Sequence, residues 1–84
     1  MKKCMITFRS VTPAQRAESV LKRSGIQCAL RRTPRWMEEQ GCGYSVQLPG
    51  ENVPEALRLL TEGQIPYRKV YLLREGSRPE EMHL

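Results

Sequence analysis

Apolar and polar positions along this chain follow two periods, and the switches between them predict six elements. Between Cys4 and Phe8, Ile6 and Phe8 alternate with Met5 and Thr7, the period-two pattern of a strand. Thr12-Pro13-Ala14-Gln15 then reads as a helix start, with Thr12 as cap, Pro13 in the first turn and Gln15 closing a capping box. Ala14, Ala17, Val20 and Leu21 fall on one face of that helix, Arg16, Glu18, Lys22 and Arg23 on the other, and Gly25 ends it. Ile26 to Leu30 reads as a second strand, and Tyr44, Val46 and Leu48 alternate through a third that stops at Pro49-Gly50. A second helix, capped by Asn52 with Glu55 three residues on, carries Val53, Ala56, Leu57 and Leu60 as its apolar stripe and ends at Gly63. Tyr67 to Leu73 reads as the last strand, with Val70 and Leu72 opposing Lys69 and Tyr71.

The order strand, helix, strand, strand, helix, strand predicts an α+β, ferredoxin-like βαββαβ domain. Its expected form is a four-stranded antiparallel sheet with both helices on one face, spanning residues 1–73. From Arg74 onward no period survives, and residues 74–84 read as a disordered tail. One connection stands out. The segment from Arg32 to Gly41 is about twice the usual loop length, and it carries Pro34, Arg35, Trp36 and Met37.

Composition narrows the picture. The chain has 84 residues, 39% hydrophobic and 27% charged, which fits one small globular domain. No apolar run approaches the roughly 20 residues that span a bilayer, and the N-terminus lacks the apolar core of a secretory signal. A cytoplasmic protein without membrane contact is expected, with reduced thiols. Its three cysteines form no CxxC pair and its single histidine lies near the end, so neither a disulfide framework nor a metal site is expected. No cofactor is called for either. The net charge is +5, with fourteen Lys and Arg against nine acids, all Glu.

Candidate chemistry concentrates in the long loop. Cys42 stands between Gly41 and Gly43, where missing side chains expose the sulfur and let backbone N–H groups approach it. Such a thiol is either a nucleophile or carrier of sulfane sulfur, or an inert buried hydrophobe. Cys28 and Cys4 sit in strand patterns and read as core. Arg31, Arg32 and Arg35 form the densest charge cluster. Their forked guanidinium groups suit an anion, while a solvated loop with Arg35 pairing to Glu38 or Glu39 is the simpler reading. The strands lack the aromatic pattern of the common RNA-binding sheet, so nucleic acid is not the expected partner. Trp36 and Met37 would close over Cys42, dock on a partner or fold back on the core. Tyr44, Tyr67 and Tyr71 read as sheet packing, and His83 carries no chemistry. Without a general base beside the thiol, a self-contained enzyme is the weakest reading.

Ile6-Thr7-Phe8-Arg9-Ser10, Ala17-Glu18 with Leu21-Lys22, Gly25-Ile26, Thr33-Pro34-Arg35, Cys42-Gly43 and Ala56-Leu57 with Leu60 occur in that order. This ordered set, from Met5 to about Leu73, resembles a small bacterial family described as putative Se/S carrier protein-like. The resemblance implies a cytoplasmic protein of selenium or sulfur trafficking, with Cys42 as the carrier atom, Gly43 its following glycine and Pro34-Arg35 the matching Pro-Arg step. Gly41 and the bulky Trp36-Met37 depart from the family's usual residues. On this reading Cys42 holds a persulfide or selenopersulfide, Arg35 and Arg32 supply positive charge, and Gly41 and Gly43 present the atom. Partners would be sulfur or selenium donor and acceptor proteins, with a homodimer through the open sheet face as a further expectation. The alternative is a binding module that uses the basic loop for a small ligand, a protein or a nucleic acid.

Overall fold

The computed structural model of the chain describes residues 2–33, 43–73 and 80–82. Two α-helices and five strands form an α+β architecture: β1 (Lys3–Phe8), α1 (Val11–Arg23), β2 (Ala29–Arg32), β3 (Tyr44–Pro49), α2 (Val53–Glu62), β4 (Val70–Leu73) and β5 (Glu80–Met82). A single 3₁₀ turn, Gly50–Asn52, leads into α2. The sheet runs β2-β3-β1-β4-β5, and every neighbouring pair is antiparallel.

Why each element starts and stops is visible in its backbone bonds. Helix α1 begins one residue before Thr12, with Ser10 as an extended cap residue that makes no side-chain cap bond. The expected Thr12 cap is therefore corrected: Thr12 and Pro13 lie inside the first turn, where a residue without an N–H loses nothing because those groups have no intrahelical partner. At its end the Gly25 N–H donates to the Lys22 carbonyl at 3.0 Å and the Ile26 N–H to the Leu21 carbonyl at 2.9 Å. Gly25 at φ +83° makes this a Schellman closure.

Helix α2 closes the same way, with bonds from Gln64 to Thr61 at 3.1 Å and from Ile65 to Leu60 at 2.8 Å. The helix ends at Gly63, as expected, at φ −83°, and the left-handed residue is the next one, Gln64, at φ 55°. In both closures the following isoleucine, Ile26 or Ile65, is buried in the core. Burying that side chain sets where the chain turns, whichever residue precedes it.

The core lies between the helices and one sheet face. Ala14, Ala17 and Leu21 of α1 and Val53, Ala56 and Leu60 of α2 join Cys4, Ile6, Phe8, Val46, Leu48 and Val70 in one cluster. Register puts those strand residues on a common face, since Ile6 stands opposite both Val46 and Val70. The other face centres on Met5, with Gln47 and Tyr71 directly opposite it. Ser45 and Thr7 beside it are buried but satisfied: Ser45 Oγ donates to the Arg31 carbonyl at 3.3 Å, and Thr7 Oγ1 accepts the Lys69 N–H at 3.1 Å.

Three strand expectations need correction. Strand β2 starts at Ala29 rather than Ile26, because the Ile26 N–H is used in closing α1. Strand β4 starts at Val70 rather than Tyr67. Arg68 and Lys69 both bond to Thr7, a two-against-one arrangement like that of a β-bulge, and regular pairing resumes at Ile6 with Val70. The four-stranded sheet becomes five-stranded, since Glu80–Met82 pairs with β4. Three residues in a polar segment carry no readable period. An edge strand needs only backbone pairing and a few contacts, here Met82 against the core and a 3.4 Å ion pair between Glu81 and Lys69.

Candidate functional site

The long connection between β2 and β3 is closed at its base by described residues. Arg32 pairs with Tyr44 at the end of the ladder, and one step further the Thr33 N–H donates to the Gly43 carbonyl at 2.9 Å. The ends of the segment that carries Cys42 are thus pinned side by side on adjacent strands. Pro34, Arg35, Trp36, Met37, Gly41 and Cys42 themselves lie outside the described residues. Gly43 is buried at the base. Thr33 is buried beside it, and its hydroxyl has no hydrogen-bond partner among the described residues.

Strand geometry divides the arginine cluster. Arg31 stands opposite Ser45 and Arg32 opposite Tyr44, so consecutive side chains leave opposite faces of the sheet. Both are exposed. Density of charge along the sequence is therefore not density of charge in space. Arg31 instead joins Lys3, Gln27, Cys28, Ala29 and Gln47 around a cleft of about 240 Å³ at the β2 edge.

The two described cysteines are both free thiols in protecting surroundings. Cys4 is buried on β1, and burial raises its pKa above the ordinary thiol value, with Lys2 pulling weakly the other way. Cys28 is half-buried; burial and then the Glu18 carboxylate raise its pKa, against an opposing effect from Lys22. Its thiol points at the Glu18 carbonyl, 3.8 Å away. The same Glu18 accepts the Leu30 N–H at 3.1 Å and pairs with Lys22 at 3.4 Å, so it holds β2 to α1. Raised pKa values keep both sulfurs protonated and slow as nucleophiles at neutral pH.

A second cavity, of about 350 Å³, opens at the other end of the sheet among Lys2, Cys4, Pro49, Gly50, Leu72 and Met82. The Cys4 thiol donates to the Met82 thioether across 3.8 Å. Sequence reading had no access to this pair, because Met82 falls in a segment without period. A sulfur-bearing residue near the end of the chain was the sole available signal. Among the described residues no three His, Cys, Asp or Glu side chains gather as metal ligands, and no helix is long and apolar enough to cross a membrane.

A family model described as Putative Se/S carrier protein-like matches residues 3–72. The match takes in β1 through most of β4 and the whole β2–β3 connection, and β5 lies beyond it. No curated protein and no solved structure matches the chain.

Proposed function

The chain belongs to the Putative Se/S carrier protein-like family, and from that premise we propose that it carries one sulfur or selenium atom on Cys42 and delivers it to an acceptor enzyme. The observation that supports Cys42 is the state of the other two thiols. Cys4 and Cys28 are held protonated by burial, which leaves Cys42 as the cysteine for nucleophilic work.

Loading is a transfer between sulfurs. Cys42 as thiolate attacks the outer sulfur of a donor persulfide, an S–S bond forms to Cys42, the donor's S–S bond breaks, and the donor leaves as its thiol. The electron count is unchanged, and selenium follows the same path as a selenopersulfide. Delivery reverses it, with an acceptor nucleophile taking the terminal atom and Cys42 regaining its proton. Arg35 and Arg32 supply positive charge to the anionic terminal atom, while Gly41 and Gly43 keep the thiol approachable and Pro34 restricts the chain entering the loop. The pinned base at Thr33 and Gly43 favours this reading, because it anchors a presenting loop to a rigid sheet.

The same proposal takes the fold as ferredoxin-like, with residues 1–73 as its body and β5 as an added edge strand. It places the protein in the cytoplasm, where thiols stay reduced. Partners are donor and acceptor proteins, since carriage requires only the exposed atom and a docking face.

The test is persulfide loading from a polysulfide donor, read on each cysteine by peptide mass spectrometry. Cys42→Ser should load nothing, and Cys28→Ser and Cys4→Ser should load as the parent does. A Cys42→Ser protein that loads normally overturns the assignment. A second reading, a binding module for a small anion, draws on the cleft that Lys3 and Arg31 line. Under that reading Arg31→Ala abolishes anion binding and Cys42→Ser leaves it unchanged.

A further inference from the structure

The cavity at the start of β1 takes no part in carriage as proposed. Cys4 lies about five residues along the strands from Gly43, which at 3.3 Å per residue is roughly 16 Å. Its walls come from separate parts of the chain: Lys2 and Cys4 at the start of β1, Pro49 and Gly50 at the end of β3, Leu72 on β4 and Met82 on β5. Two of the side chains facing it are soft sulfur donors of different kinds, a thiol and a thioether, and they stand 3.8 Å apart.

Thiolate and thioether together select soft cations such as Cu(I), whereas hard cations take oxygen ligands. Structural zinc needs four ligands, and among the described residues no three His, Cys, Asp or Glu gather anywhere. Metal–sulfur bonds of about 2.3 Å, the zinc–thiolate length, would span this separation at a bent angle of about 110° and leave a third position open to the cavity. Charge points the same way. A single thiolate cancels one positive charge, and the remaining charges on the wall, Lys2 and Glu51, are of opposite sign. A monovalent ion leaves the site neutral, and a divalent one leaves it with an uncompensated charge. Gly50 keeps room at the thiol, since a Cβ there would stand 3.4 Å from Cys4 Sγ and 3.3 Å from the Lys2 carbonyl oxygen.

We propose that Cys4 and Met82 form a binding site for a soft monovalent metal cation of the Cu(I) or Ag(I) kind. Binding replaces the thiol proton: a Cys4 S–metal bond forms as the S–H bond breaks, one proton leaves to solvent, and no electron is transferred. Cys4 lies within the family match, and Met82, on β5, lies beyond it.

The experiment uses the full-length protein with Cys28→Ser and Cys42→Ser, so that Cys4 is its one thiol. Anaerobic titration with Ag(I), and with Cu(I) against a competing chelator, should show one equivalent bound and a near-ultraviolet thiolate-to-metal band. Adding Met82→Leu, which preserves side-chain volume, should weaken binding at least about tenfold, the lower range for losing even an outer-shell partner of a metal. Adding Cys4→Ser should abolish it. Thermal unfolding without metal checks that the Met82→Leu protein is folded. Unchanged affinity on Met82→Leu, or tighter binding of Zn(II) than of Ag(I), overturns the proposal.

Discussion

The two ends of the central strand β1 are built differently. At one end Phe8, fully buried, stands opposite Tyr44 beside the pinned base of the Cys42 segment. At the other end Cys4 is equally buried but borders a cavity of about 350 Å³. One end adjoins a segment whose chemistry lies in its own sequence, with its base closed by the Thr33–Gly43 bond. The other leaves space around a sulfur pair that only the folded chain assembles.

The sharpest way to break this comparison is to truncate both ends. Phe8→Ala should destabilise by about 3–5 kcal/mol, the range for a buried aromatic. Cys4→Ala, beside an existing void, should cost only about 1 kcal/mol, the worth of roughly one buried methylene-sized group. Equal costs in urea unfolding would show that the cavity end is as tightly packed as the loop end.

A smaller effect tests the base of the loop. The Thr33 hydroxyl is buried without a partner among the described residues, so Thr33→Val should stabilise by about 1 kcal/mol, the low end of the penalty for such a group. For a domain of this size that is a rise in Tm of about 4–8 °C. A lower Tm would mean that the hydroxyl is bonded in solution.

Reactivity separates the cysteines further. Alkylation at neutral pH should reach Cys42 faster than Cys4, because burial covers the Cys4 sulfur and raises its pKa. Equal rates would remove the distinction between Cys42 and the buried thiols.

The smallest effect is a dependence on alkaline pH. Cys4 and Cys28 have folded pKa values raised above the ordinary 9.0. Their neutral forms are favoured in the fold, so this contribution is fully present below that value and is lost as pH rises through the raised ones. The urea midpoint should fall between pH 8 and pH 10 more steeply in the parent than in a Cys4→Ala, Cys28→Ala protein. Parallel slopes would contradict the burial of these thiols.

What could be read from the chain is uneven for physical reasons. Strands β1 and β3 and both helices are legible because each buries one face, and a buried face imposes period two or 3.6 on the residues that fill it. The start of β2 is misread because Ile26 has an apolar side chain suited to a strand and a backbone N–H committed to a helix end. Gln64 takes the left-handed position beside an available glycine because the burial of Ile65 decides where the turn falls. The Arg31-Arg32 cluster is legible as charge and not as a surface, since neighbours on a strand face opposite ways.

The sequence by itself determined the α+β class, most of the core positions and the family. All of these rest on residue identity and local spacing. The tertiary structure alone decided the fifth strand and the meeting of Cys4 with Met82. Those depend on contacts between residues as many as 78 positions apart, and no local period records which distant side chain a buried sulfur will meet.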